Sequence, residues 1–381
     1  MLNFLREFRK RFSKYTHTIE VLISKNNILE NLKEYKSKYS DFLFAPVLKS
    51  NAYGHGLVGV AKILDKENLP FFVVDSLYEA RLLKHNRIKT PILIIGYTML
   101  KNIQNYNSKN FIFTVVSLEE LQILKEKINK DIRIHLKVDT GMHRQGILVS
   151  EIEEAANLIK ENRHLILEGV CSHFADADNQ DKTITLKQIS EWKEAVKTFK
   201  DKFTYIKYFH ISATSGVSVI DKEFTNLVRL GIGLYGINVT KDEKLNLKLA
   251  LKMESILSTI RNLEKGESVG YNHTYSLEEN SKIATVPTGY FEGADRRLSN
   301  IGVFKIKDKF AKIVGRISMN MSSINISDIS DPKIGDKVIV ISEKSEDENS
   351  VENIAKKANT IPYEILVHIP PTLHRKFINR F

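Results

Sequence analysis

Between residues 42 and 236, short apolar β-branched runs alternate with amphipathic stretches, and this alternation limits the possible folds more than any other feature of the chain. Eight runs carry it: FLFAPVLK, FFVVDS, PILIIGY, FIFTVV, RIHLKVD, LILEGVCSHF, YIKYFHIS and NLVRLGIGLYG. Apolar character on both faces of so short a run marks a strand covered on both sides, as in a parallel sheet. Between the runs lie helical patterns such as SLEELQILKEKI and SEIEEAANLIKEN, each opened by a serine able to cap the first turn, and the longer TITLKQISEWKEAVKTFK. Eight buried strands separated by helices predict an α/β chain with a (β/α)8 TIM-type barrel. An open doubly wound sheet is the competing arrangement, and the strand count favours closure.

After residue 240 the texture changes to alternating runs with glycine-containing turns, such as KIATVPTGYFEG and DKVIVIS, and helical periodicity survives mainly in SVENIAKKANTI. These stretches predict a C-terminal mostly β domain. The expected organisation is a basic N-terminal extension (1–15), a barrel domain (16–241) and a β-rich domain (242–381), with the boundary in NVTKDEKLN. The early strand-like THTIEVLIS precedes the barrel pattern and is a candidate to pair with the second domain.

Composition excludes several classes. With 42% hydrophobic and 27% charged residues the chain reads as globular. Apolar stretches such as Thr90 to Leu100 fall short of the roughly 18 residues that a membrane helix needs. No stable membrane association is expected. Net charge is +11, and residues 1–14 hold five basic side chains against one acid. No apolar core follows that would make this a secretory signal, so the cytoplasm is the expected compartment. A nucleic-acid partner is not expected either, because no aromatic-interleaved basic motif accompanies the charge. Cys171 is the single cysteine, which excludes an intrachain disulfide and suits a core position. The histidines show no metal-ligand spacing, and no metal is expected.

The chemistry should collect at the C-terminal ends of the barrel strands. PVLKSNAYGHG ends the first apolar run on Lys49 and then breaks into a turn. A lone ammonium at the end of a buried strand costs several kcal/mol unless it is paired, neutralised or covalently used. Lys49 is therefore either a lysine snorkelling to solvent or a nucleophilic amine. Arg144, His173, Thr214, Arg229 and Gly231 lie at or beyond the ends of later strands. HISATSG supplies hydroxyls and RLGIG exposes backbone N–H groups, a combination suited to a phosphate. A lysine facing a phosphate site suggests a Schiff-base lysine holding pyridoxal phosphate.

PVLKSNAYGHG, KVDTGMHRQG, SHFADAD, NLVRLGIGLYG, VGYNHTY, VPTGY, GRISMN and PYEIL occur in this order. Together they resemble the alanine racemases, fold-type III pyridoxal-phosphate enzymes, from about residue 16 to the C-terminus. The resemblance implies a homodimer with shared active sites that interconverts L- and D-alanine and supplies D-alanine for peptidoglycan. It implies that Lys49 binds pyridoxal 5'-phosphate and is one of two bases. Tyr53, Tyr363, Thr214 and the backbone of Gly231 and Ile232 would hold the phosphate. Arg229 would face the pyridine nitrogen, with His173 in its hydrogen-bond network. Tyr271 would be the second base, reaching the site of the other subunit. Arg144 would orient the substrate carboxylate and Lys137 would be carbamylated. Tyr290 and the backbone of Met319, also from the partner, would close the substrate entrance.

The same comparison exposes departures. Asn320 stands where the family generally has Asp, and Glu292 replaces the aspartate of the usual Gly-Tyr-Ala-Asp-Gly. Thr214 takes the place of a serine and Ala213 of an asparagine. A broader amino-acid racemase and a non-catalytic cofactor carrier are the rival readings.

Overall fold

The computed structural model describes residues 15–106, 109–240 and 245–381. The basic extension over residues 1–14 and the middle of the expected boundary segment, 241–244, lie outside the described residues. Contacts divide the chain into two compact units, one spanning Lys25–Lys248 and the other Leu249–Phe381 together with the segment up to Ser24.

The first unit contains the eight expected strands: β2 (Leu43–Pro46), β3 (Phe72–Val74), β4 (Ile92–Ile94), β5 (Phe111–Val115), β6 (Ile132–Lys137), β7 (Leu165–Cys171), β8 (Tyr208–His210) and β9 (Leu227–Leu230). Strands β3 to β8 pair in sequence order, all parallel, and β2 pairs in parallel with β9. Two sets of backbone contacts close the ring. The Leu48 N–H donates to the Val73 carbonyl at 2.7 Å on one side. On the other, Asn226 and Arg229 donate to the carbonyls of Phe209 and Ser212 at 3.0 and 3.1 Å. With the ring closed, most apolar residues on both faces of these strands are buried, as the continuous runs require, with Leu43 and Ile166 the exposed exceptions. Cys171 is buried at the end of β7.

Helix starts show where local sequence suffices. Ser117 caps the helix Leu118–Lys127, its Oγ accepting the Glu120 N–H at 3.1 Å. Ser150, expected to cap the next helical pattern, does not. It lies inside a 3₁₀ turn, Val149–Glu151, and the helix Ile152–Glu161 starts without a side-chain cap. The Glu151 carboxylate instead accepts the Leu148 N–H at 2.7 Å, which satisfies the entry by another route.

In the second unit, β1 (Glu20–Ser24) lies between β10 (Leu251–Ile256), antiparallel, and β17 (Arg375–Ile378), parallel. The early THTIEVLIS stretch thus joins this unit, although the sequence boundaries placed residues 16–24 with the barrel. Pairing explains it: alone, a five-residue strand has no way to satisfy its backbone groups. Strands β13 (Val303–Ile306), β14 (Lys309–Lys312) and β16 (Lys337–Ile341) complete a six-stranded sheet. A second sheet holds β11 (Thr259–Leu263), β12 (Ser281–Val286) and β15 (Ser322–Asn325). Helices Val351–Lys357 and Pro362–Val367 follow β16, the first capped by Ser350.

Candidate active site

Lys49 lies three residues beyond the C-terminal end of β2, and the turn after it is unusual. Ser50, Asn51, Ala52 and Tyr53 all have left-handed backbone, with φ of 55, 58, 53 and 51°. For residues bearing a Cβ this costs roughly 1–2 kcal/mol each, and such strain persists where surrounding bonds enforce it. Here the Ala52 N–H donates to the Leu48 carbonyl at 2.8 Å, and the Asn51 Oδ1 accepts the Leu57 N–H at 2.9 Å, fixing the start of the next helix. Gly54 and Gly56, with φ of 80 and 100°, complete the passage into Leu57–Leu64. The turn packs the Tyr53 ring against Tyr235. The Lys49 amine makes no hydrogen bond or ion pair among the described residues.

On β9, the strand paired with β2, Arg229 is 7% exposed and has no carboxylate partner among the described residues. Its Nη1 donates to the His210 carbonyl at 2.9 Å and to the His210 Nδ1. Its Nη2 reaches the Ser172 and Ile211 carbonyls at 2.8 and 2.9 Å and the His173 Nδ1 at 2.9 Å. Because a guanidinium only donates, both imidazoles must accept at Nδ1. The His210 Nε2–H then donates to the His135 Nδ1 at 2.8 Å. The Nε–H of Arg229 remains without a partner among the described residues. Burial, reinforced by the fields of Arg229, Lys137, Arg144 and Lys49, lowers the pKa of His173 to about 3. His173 is neutral at physiological pH.

Strand β9 leads into an anion-friendly cradle. The buried Thr214 Oγ1 accepts the Gly231 and Gly233 N–H groups at 3.0 and 3.4 Å. A Cβ at Gly231 would lie 2.9 Å from the Tyr53 hydroxyl and 3.6 Å from the Thr214 Oγ1, so a side chain there would fill the space between them. The N–H of Ile232, a wholly buried residue, has no partner among the described residues. Two hydroxyls and an orphan N–H around a space kept open by glycine suit a phosphate.

Lys137 ends β6. Burial chiefly lowers its pKa; Cys171 works in the opposite direction, while Arg229 and Arg144 add to the depression. Its amine has no ion pair among the described residues. Arg144 is exposed in the loop that follows, whose course is set by the Asp139 carboxylate accepting the N–H groups of Gly141, Met142 and His143 at 2.9, 2.9 and 3.0 Å.

The remaining expected residues stand on the second unit. Tyr271, 66% exposed, opens a short 3₁₀ turn after Gly270, whose backbone lies against Gly315 and Arg316. Tyr290 and Met319 are brought together by backbone bonds: the Tyr290 N–H donates to the Ser318 carbonyl at 3.1 Å, and the Phe291 N–H to the Met319 carbonyl at 2.9 Å. The Met319 N–H is free among the described residues. Tyr363 lies near the start of the helix Pro362–Val367, where Arg297 joins Glu364 to Asp295.

Sequence reasoning missed His210 and His135. Both are buried polar residues in parallel strands, His135 two positions before the end of β6 and His210 at the end of β8, and that interruption of an apolar run was the available signal. It also did not foresee that Asn320 and Glu292 would meet.

A (β/α)8 barrel with a lysine at the end of its first strand, joined in one chain to a mostly β unit, defines the fold class of the fold-type III pyridoxal-phosphate enzymes. A family model for the alanine racemase N-terminal domain matches residues 23–239, and one for the alanine racemase C-terminal domain matches residues 250–377. Alanine racemase 1 of Caldanaerobacter subterraneus subsp. tengcongensis is 34% identical over 341 residues, covering 87% of each chain. The solved alanine racemase of Clostridium difficile 630 superposes with a TM-score of 0.88 at 32% identity, over 96% of this chain and 98% of that one. The alanine racemase of Bartonella henselae, solved with covalently bound pyridoxal phosphate, gives a TM-score of 0.83 at 25% identity, over 95% of this chain and 100% of that one. The chain belongs to the alanine racemase family, whose members are pyridoxal-phosphate-dependent isomerases. Among the described residues, no helix is long and apolar enough to cross a membrane.

Proposed function

We propose that this chain interconverts L- and D-alanine with pyridoxal 5'-phosphate held at the barrel mouth, as a homodimer whose sites take residues from both subunits. The observation that carries the reading is the buried Arg229 guanidinium, with every N–H committed to imidazoles and carbonyls except Nε–H. Bound there, the cofactor would supply an electron-withdrawing ring that acidifies the α-proton of an attached amino acid.

The chain's own residues supply the rest. Lys49 holds the cofactor covalently and moves the proton at one face of the α-carbon. Tyr271 of the partner subunit serves the opposite face, since one base does not easily reach both. Tyr53, Thr214, Tyr363 and the N–H groups of Gly231 and Ile232 hold the phosphate. Arg229, whose Nε–H is the one left over, would face the ring nitrogen and, because a guanidinium does not give up its proton, would leave that nitrogen unprotonated. This limits protonation at the wrong carbon. Neutral His173 fixes one edge of Arg229. Arg144 and the Met319 N–H of the partner subunit receive the substrate carboxylate, while Tyr290 of the partner subunit narrows the entrance.

Lys137 would be carbamylated: burial favours its neutral amine, and a carbamate would set a negative charge among Arg144 and Arg229. The homodimer is supported by Tyr271, Phe291 and Met319, large side chains 56–66% exposed on the single chain. The role in supplying D-alanine for peptidoglycan follows from the same reading.

The test is racemisation of both alanine enantiomers in deuterium oxide by the yellow, dimeric protein. Deuterium should appear at the α-carbon from either enantiomer. Bound cofactor without exchange would make the chain a carrier, and a preference for serine or lysine in an amino-acid panel would remove the alanine assignment.

A further inference from the structure

Two of the positions where the sequence departs from its family meet in the fold. Glu292 is 8% exposed and forms no ion pair among the described residues. Its Oε2 accepts the Gly289 N–H at 2.9 Å, and its Oε1 accepts the Asn320 Nδ2 at 2.6 Å. The nearby cation Arg297 is taken up by Asp295 and Glu364. Asn320 is thus the side-chain donor to this carboxylate.

The place of this bond gives it a consequence. Asn320 and Met319 form the tip of a loop closed by the Ser318 N–H on the Met321 carbonyl at 2.9 Å. Two backbone bonds dock that loop on the 289–292 turn, through Tyr290 on Ser318 and Phe291 on Met319. Gly289 permits the approach, because a Cβ there would overlap the Ser318 and Met319 carbonyls. The Glu292–Asn320 bond is the side-chain tie across this junction. It anchors the residue after Met319, while the direction of the free Met319 N–H is fixed by the Ser318 carbonyl of the same peptide plane, which accepts the Tyr290 N–H.

We propose that Glu292 and Asn320 act as one positioning pair that holds the Met319 N–H and Tyr290 in place for the substrate carboxylate. The proposal rests on the reading of those two residues as the substrate entrance. The amide at 320 supplies the side-chain donor to the carboxylate at 292. It donates where an aspartate would oppose a second negative charge, and two carboxylates at hydrogen-bond distance do not both ionise without repulsion.

Steady-state kinetics of the cofactor-loaded full chain test this across pH 6 to 9. Asn320→Asp should raise KM for alanine about five- to tenfold at the alkaline end, roughly the value of one lost hydrogen bond, with kcat nearly unchanged. That KM should fall towards the parental value as pH is lowered and the pair gains a shared proton. The transposed double variant Glu292→Gln with Asn320→Asp restores one amide facing one carboxylate and should recover a low, pH-independent KM. An Asn320→Asp enzyme whose KM and pH profile match the parent overturns the pair. So does one that loses kcat, cofactor absorbance and melting temperature together without rescue, which marks a merely structural role. Tyr290→Ala is run alongside: if its KM moves while that of Asn320→Asp does not, the pair alone is refuted. If the KM of Tyr290→Ala does not move, the entrance reading fails and the pair with it.

Discussion

The barrel mouth and the 269–321 region of the β unit carry site residues in opposite ways. At the mouth, Arg229 is buried and held by two imidazoles and three carbonyls, so its position is set inside its own unit. Tyr271 is 66% exposed on a short turn and finds no such support within the single chain. The first region is built to be rigid before anything binds. The second is exposed on the single chain, and the proposed homodimer would be what completes it. Removing a mouth residue should therefore damage fold and chemistry together, whereas removing an outlying residue should damage chemistry alone.

The largest effect is expected from Lys49→Ala, which should lower turnover by at least about 10⁴-fold and abolish the borohydride-fixed cofactor adduct read by mass spectrometry. Retention of the adduct would place the covalent link elsewhere. Tyr271→Phe should leave urea stability unchanged and keep the cofactor. Proton exchange from one alanine enantiomer should drop about 10²- to 10³-fold, a usual value for one general base. Equal residual exchange from both enantiomers would contradict two bases on two faces. Arg229→Leu should show the contrasting pattern, with stability falling by about 3 kcal/mol because buried acceptors lose their donor. A urea midpoint equal to the parent's would erase the contrast between the regions.

A pH experiment sharpens the comparison further. Burial, followed by the fields of Arg133 and Arg229, lowers the pKa of His135 from 6.5 to about 3. Between those values the unfolded chain binds a proton that the folded chain refuses. Stability should therefore fall as pH drops from 6.5 towards 3, by up to about 1.4 kcal/mol per pH unit for this one histidine. His135→Asn keeps an acceptor near His210 but does not titrate, and its melting temperature should fall less steeply over that range. The smallest effect is assigned to Ser50→Gly. Ser50 is exposed with φ of 55°, and relieving its left-handed strain should stabilise the barrel by about 0.5–1 kcal/mol in urea unfolding.

Much of the fold is legible because strand burial leaves a direct mark on composition. Each of the eight barrel runs became a strand, and THTIEVLIS reads as a strand for the same reason. Local chemistry misleads where two solutions compete, as when Ser150 is drawn into a 3₁₀ turn and Glu151 takes over the helix entry. At the site, Lys49, Arg229 and Thr214 stand out as polar residues at strand ends. His135 sits within β6 and His210 ends β8, and their value lies in a hydrogen bond spanning 75 positions that no local pattern announces.

By itself the sequence determined the order and type of the barrel elements, the lysine that ends the first strand and the series of motifs that place the chain in its family. These depend on short-range patterning: period-2 and period-3.6 burial and the chemistry of turns. Only the tertiary structure decided that β1 takes its place between β10 and β17 in the six-stranded sheet, that one guanidinium N–H is left over at the mouth, and that Glu292 and Asn320 form a pair. Each depends on which distant groups end up within hydrogen-bond reach after packing, and directional bonds of about 3 Å are set by that packing rather than by spacing along the chain.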